Sequence, residues 1–149
     1  MAELNITQAE ADILIRIEKH RQDDKIWKYP GITEEITIPL ISENQKEHFL
    51  LDIRRGRIDL KNGKYQTRGR KVIILVRLDF GGAPHRNPDG REIASPHIHL
   101  YRENYGDKWA FPVPNDAFPN MNDLWQTLHD FMAYCAITQP PYIEKGLWV

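Results

Sequence analysis

A single cysteine, Cys135, stands in a chain of 149 residues, so no internal disulfide can form. Its apolar neighbours on a predicted helix mark it as packing rather than as a nucleophile. No apolar run approaches the roughly 20 residues that a membrane-spanning helix needs. The amino terminus also lacks the basic-then-apolar order of a secretory signal. A soluble cytoplasmic protein with no membrane partner is therefore expected. Internal repeats and low-complexity tracts are missing, which excludes a solenoid. Net charge is only −1, which excludes a uniformly basic nucleic-acid binder. What is present is enough for one core: four Trp, six Tyr and five Phe point to a single domain over residues 1–149.

The near-zero net charge hides an asymmetry. Between positions 54 and 91 stand eleven Lys or Arg (among them Arg54, Arg57, Lys64, Arg68, Arg77, Arg86 and Arg91) against three Asp. The rest of the chain carries the compensating acid. Such a division creates a positive field on one part of the molecule, suited to a phosphate backbone or an acidic protein. Solvated strand edges guarded by Lys and Arg are the structural alternative.

Thr7-Gln8-Ala9-Glu10 has the form of a capping box. Ile13, Leu14 and Ile17 continue it at helical spacing, which predicts a helix over about residues 8–22. From Ile36 the period becomes two. Ile36, Ile38 and Leu40 form one strand, with Pro39 pointing to an edge; Phe49, Leu51 and Ile53 form the next. Ile58 and Leu60 lead to Asn62-Gly63, the preferred pair of a two-residue hairpin turn, and Tyr65 follows on the return strand. Val72 to Val76 is apolar throughout, as in a central strand covered on both faces, and alternation resumes through Phe80. After a loop over 81–95, strands are expected at about 96–102 and around Trp109 to Val113. Asn120 or Asn122 is expected to cap a second helix with the stripe Leu124, Leu128, Phe131, Met132 and Cys135. Pro140-Pro141 ends the regularity, and Trp148 is expected to dock the tail. The fold class is α+β: an antiparallel sheet of about five to seven strands flanked by an N-terminal and a C-terminal helix.

Three of the six histidines fall between positions 85 and 99. His97 and His99 alternate on a strand and so share a sheet face, with Tyr101 continuing that face. If this strand pairs with the one carrying Arg77 and Asp79, all five side chains share a surface, with His85 and Arg86 at its rim. A one-residue slip would destroy the arrangement. His97, His99, His85 and Tyr101 are the catalytic candidates, and Arg77, Arg86, Arg91 and Lys108 the substrate-binding ones. Ribonuclease chemistry of the cyclising type needs an acid, a base and cations around the phosphate, and these residue types supply them without a cofactor. An H-x-H pair also has a chelating geometry, so a metal-binding enzyme is the alternative. A non-catalytic module that grips nucleic acid or protein is another. His20, His48 and His129 stand apart.

His99 followed by Glu103 is similar to the first cupin motif, which implies a metal held by two His and a Glu inside a small barrel. Here the spacing from Gly90 is one residue too long, the closing Gly106 comes early, and no second motif follows. His85-x-Asn87-Pro88-Asp89-Gly90, Pro96-His97-x-His99-x-Tyr101-Arg102-Glu103 and Tyr105-Gly106-Asp107-Lys108-Trp109 together resemble a family of small, largely uncharacterised bacterial proteins, without implying an activity. The stretches His85 to His99, Trp109-Ala110-Phe111 and Leu124 to Phe131 are more distantly similar to TumE-type toxins of toxin–antitoxin pairs. Those toxins carry adjacent histidines where this chain has alternating ones. That likeness implies an RNA-cleaving toxin with RNA as substrate and a cognate antitoxin, or another acidic protein, as partner. The combined expectation is a metal-independent endoribonuclease using a His pair on a basic sheet surface.

Overall fold

The computed structural model describes residues 5–56 and 62–146. In chain order its elements are α1 (Gln8–Arg16), β1 (Lys19–Arg21), β2 (Ile26–Lys28), β3 (Glu35–Ser42), β4 (His48–Arg55), β5 (Gly63–Gly69) and β6 (Ile73–Phe80). They are followed by β7 (His85–Arg86), β8 (Glu92–Ile93), β9 (His97–Leu100), β10 (Ala110–Pro112), α2 (Leu124–Tyr134), β11 (Ile137–Gln139) and β12 (Tyr142–Glu144). One eight-stranded sheet runs β10-β9-β6-β5-β4-β3-β1-β11, with two-stranded pairs β12-β2 and β7-β8 beside it. The α+β class stands. The sheet is larger than expected, and mixed: β11 joins β1 in parallel, as β12 joins β2.

Both additions come from segments whose local pattern misleads. α1 starts as the capping box predicts, the Thr7 hydroxyl accepting from the Glu10 amide at 3.1 Å, but stops at Arg16 rather than near 22. Lys19 is the cause. It is fully buried, and its Nζ donates to the carbonyls of Ile15, Ile17 and Cys135 at 2.9–3.0 Å. All three ammonium donors are thereby satisfied, and the ends of α1 and α2 are stitched together. Burial pushes the Lys19 ammonium down to about 8. This tertiary bond turns the polar run 19–21 into a strand. Ile13 faces solvent, whereas Leu14 enters the core.

One face of the sheet is apolar. Ile38, Leu40, Phe49, Leu51, Ile53, Tyr65, Leu78, Phe80 and Ile98 pack there with Leu128, Phe131 and Met132 of α2. Tyr65 anchors the helix, its ring centroid 5.9 Å from Phe131 and its hydroxyl donating to the Leu124 carbonyl at 3.1 Å. The stripe on α2 is therefore core, as expected. The cap is Asp123, which accepts from Gln126 N at 3.0 Å, and not Asn120 or Asn122. Pro39 sits where β1 no longer covers β3, so its missing donor faces no partner strand on that side.

Two details depart from the alternation. Gly63 is not a turn residue: it lies inside β5, opposite both Arg55 and Phe80. A Cβ there would stand 2.4 Å from the Arg54 carbonyl and 3.0 Å from the Phe80 ring, so close approach, not a turn, demands glycine. Ile58 and Leu60 lie outside the described residues, as does Trp148. On β6 the register with β5 slips by one residue, Thr67 facing Val76 and Arg68 facing Ile74, which makes Leu75 a bulge. The bulge lets Ile73, Leu75 and Val76 all be buried. The apolar run thus serves one core through a kink and does not mark a strand covered on both faces, and Val72 is exposed.

The opposite face is polar, and the register arranges it in two rows. Thr37, Asp52, Gln66, Arg77 and His99 are successive cross-strand partners from β3 to β9; Glu35, Arg54, Lys64, Asp79 and His97 form the adjacent row. Asp52 is buried here and accepts from Arg68 Nε and Gln66 Nε2, both at 2.7 Å, and from Thr37 Oγ1 at 2.7 Å. Burial alone would push its carboxyl up, but these donors hold it below the usual range.

Two outcomes follow from this architecture. Gly63→Ala lowers unfolding free energy by about 1–3 kcal/mol in a denaturant titration, because the clashing atom is backbone. Asp52→Asn costs about 1–3 kcal/mol, below the range for a fully buried pair because Arg68 is partly exposed. The folded Asp52 pKa is depressed. Its contribution is therefore complete above the unfolded value near about 4 and is lost as pH falls through the folded value. The variant accordingly shows a shallower loss of stability in acid than the parent chain.

Candidate functional site

β6 and β9 pair with Arg77 opposite His99 and Asp79 opposite His97, a register that puts all four on one face. All four side chains leave the polar face. His85, on the β7–β8 hairpin, comes down over them, its ring centroid 4.6 Å from His99 and 5.8 Å from His97, while His97 and His99 are 5.1 Å apart. The shared surface is not an open one at the imidazoles of His97 and His99, which are only 3 % and 1 % exposed. The hairpin and the turn over 101–109 roof them. Solvent reaches the cluster on the other side, through Arg77 and Asp79, whose side chains are 18 % and 17 % exposed.

The roof orients the rings. The turn after β9 presents two consecutive carbonyls: His99 Nδ1 donates to Asp107 O at 2.7 Å, and His85 Nε2 donates to Lys108 O at 2.8 Å. His97 Nδ1 donates to Ala94 O at 3.3 Å. With their Nδ1 protons committed, His97 and His99 turn their Nε2 atoms inward onto one oxygen, Asp79 Oδ2, at 3.4 and 3.3 Å. With both rings neutral, three acceptors converge; a proton on either Nε2 would make it a donor to Asp79. The donor among them is Arg77, whose Nη2 lies 3.0 Å from His99 Nε2 and 3.2 Å from Asp79 Oδ2. Arg77 is itself held by Asp79 Oδ1 at 3.0 Å and by Asp107 Oδ2 at 2.5 Å. Burial pushes the His97 imidazole down against the pull of Asp79. Desolvation raises the Asp79 carboxyl, but the adjoining His99 and Arg77 outweigh it and hold it well below the usual range.

These groups could hold a metal ion. The ligand atoms of Asp79, His97 and His99 all lie within 4.8 Å of one another. Two ligands about 2.0–2.1 Å from a tetrahedral zinc ion stand roughly 3.3–3.4 Å apart, which is the spacing of both imidazoles from Asp79. Each ring also carries the backbone acceptor on its far nitrogen that metal-bound imidazoles commonly have.

Of the residues singled out from sequence, His85, His97, His99 and Arg77 meet. Tyr101 does not. Its amide bonds to the carbonyl of the bulged Leu75 at 2.9 Å, and the ring turns into the core. There its hydroxyl donates to Ile6 O at 3.0 Å and accepts from Ile6 N at 2.9 Å. Arg86, Arg91 and Lys108 are exposed on the roof, with no ion pair among the described residues. The broad basic surface is also thinner than the charge count suggests, since Arg68, Arg70 and Arg77 are bound to carboxylates. Asp79 belongs to the centre itself, a role its alternation with Arg77 already hints at. Asn87 was readable only as a turn residue. It does make that turn, with Gly90 N donating to its carbonyl at 2.8 Å, but its amide also brackets Ala110, donating to O at 3.0 Å and accepting from N at 2.8 Å. That pins the roof to the sheet edge and caps β10. Neither Asn87 nor Asp107 gives a sequence signal for these contacts, because both partners arrive by tertiary folding.

No helix among the described residues is long and apolar enough to cross a membrane. No curated protein and no solved structure matches the chain. A family model does, over residues 6–137, a span that takes in α1, the histidine cluster and α2. The chain therefore belongs to DUF6978, a family of unknown function.

Proposed function

We propose that Asp79, His97 and His99 bind a divalent transition metal, and that the protein is a hydrolase cleaving RNA phosphodiesters at this centre. The observation that carries the reading is the convergence of both Nε2 atoms on Asp79 Oδ2 at 3.3–3.4 Å with their other nitrogens tied to carbonyls. A metal would replace Arg77 Nη2 at that point, leaving the guanidinium on Asp107 and on Asp79 Oδ1. There Arg77 is placed to meet a phosphate oxygen as charge builds. The metal would supply Lewis acidity and a water of lowered pKa. His85 is half-buried on the roof, the histidine best placed to reach a bound substrate. RNA as substrate is supported by the cations concentrated between positions 54 and 91, of which Arg54, Lys64, Lys71, Arg86 and Arg91 are exposed.

One contact favours a second reading, in which no metal is needed and His97 and His99 shuttle protons: Arg77 already satisfies His99 Nε2 at 3.0 Å. In either case a toxin role, with an acidic antitoxin as partner, predicts growth arrest on expression that His97→Ala relieves. A non-catalytic binding protein would leave RNA intact.

Elemental analysis of the purified chain separates the readings. The expected result is one metal ion per chain, lost in His97→Ala, His99→Ala and Asp79→Asn but kept in His85→Ala. RNA cleavage falls by on the order of 10²–10⁴ in His97→Ala and His99→Ala, and chelation abolishes it in the parent chain. Metal-free protein that cleaves RNA at full rate in the presence of chelator would overturn the metal centre and leave the proton shuttle.

A further inference from the structure

The metal centre opens at Asp79, and Lys64 on β5 stands directly opposite Asp79; Arg54 on β4 stands directly opposite Lys64. Both are exposed. Like charges facing one another across an antiparallel pair destabilise it, with Cβ atoms only about 4.5–5.5 Å apart. Elsewhere on this face each arginine is neutralised: Arg68 by Asp52 and Arg77 by Asp79 and Asp107. Arg54 and Lys64 form no ion pair among the described residues. Glu35 faces Arg54 from β3 and is the carboxylate at the outer rim. Together with Asp52 and Gln66 these residues line a shallow groove of about 220 Å³.

We infer that Arg54 and Lys64 form a phosphate track along which single-stranded RNA lies across the polar sheet face and enters the centre at Asp79. The inference rests on the RNA reading above and names the path and binding mode of that substrate. The approach is fixed by exposure, since the imidazoles are roofed and the carboxylate side is the open one. Neither of the two rows contains Phe, Tyr or Trp, so the grip is on phosphates rather than on stacked bases. Binding is therefore indifferent to sequence and sensitive to salt.

The test measures affinity of the full chain for a fluorescent 12-nucleotide single-stranded RNA over a range of salt. Each phosphate contact contributes about 0.7 to the log–log salt slope for single strands, so Arg54→Gln/Lys64→Gln lowers the slope by about 1.4. At 50 mM salt the affinity falls by about tenfold or more. Metal content stays at the parent value, because neither residue is a ligand. Glu35→Gln, which removes the rim carboxylate and leaves the cations in place, tightens binding. Lys46→Gln, in the exposed turn between β3 and β4, changes affinity less than twofold, a difference of under about 0.4 kcal/mol. Unchanged affinity and slope in both the double variant and Glu35→Gln overturn the track while leaving metal content and cleavage, and so the centre, intact. Loss of metal in the ligand variants, with no RNA bound or cleaved by the parent chain, overturns the track and the RNA substrate together.

Discussion

Two imidazole nitrogens and a carboxylate oxygen face one another across about the width of a metal coordination sphere, and the surrounding structure serves to hold them there. Lone pairs do not converge without a cause. Here the cause is backbone: carbonyls at positions 94 and 107 take the outer protons of the two rings, so their inner nitrogens have no choice of direction. The carbonyl at 107 is placed by the turn after β9, and the one at 94 by the hairpin that brings His85 down. Arg77 supplies the donor at that point, its guanidinium reaching Asp79, Asp107 and His99 together. Removing Arg77 would leave a buried carboxylate and His99 Nε2 without that donor, a costly arrangement.

The two faces of the sheet divide the labour. The apolar face, closed by α1 and α2, fixes the strand register. That register decides which polar side chains meet on the other face. The bulge at Leu75 belongs to both. It lets the adjacent Leu75 and Val76 both enter the core, and the polar row ends beyond His99, where Tyr101 turns inward to clamp Ile6. Stability and site are thus set by the same irregularity.

Part of this was legible in advance. The shared face of Arg77, Asp79, His97 and His99, the turn at Asn87 to Gly90 and the stripe on α2 follow from period and turn chemistry. The misses share a physical origin. The end of α1 is set by Lys19 reaching a carbonyl more than a hundred residues away. Gly63 answers to the Arg54 carbonyl across the ladder. Tyr101 follows a slip on a neighbouring strand. The parallel strands β11 and β12 are three residues each, too short to show a period.

By itself the sequence determined the class of fold, the face on which the histidines stand and the residue types available for chemistry, because side-chain alternation and turn preference are local properties. Only the tertiary structure decided that the rings are covered, that their outer protons are spent on backbone carbonyls, and that Arg68, Arg70 and Arg77 are already bound to carboxylates. Burial and hydrogen-bond partnership depend on which distant segments arrive at the same place. No local pattern of residues encodes that meeting.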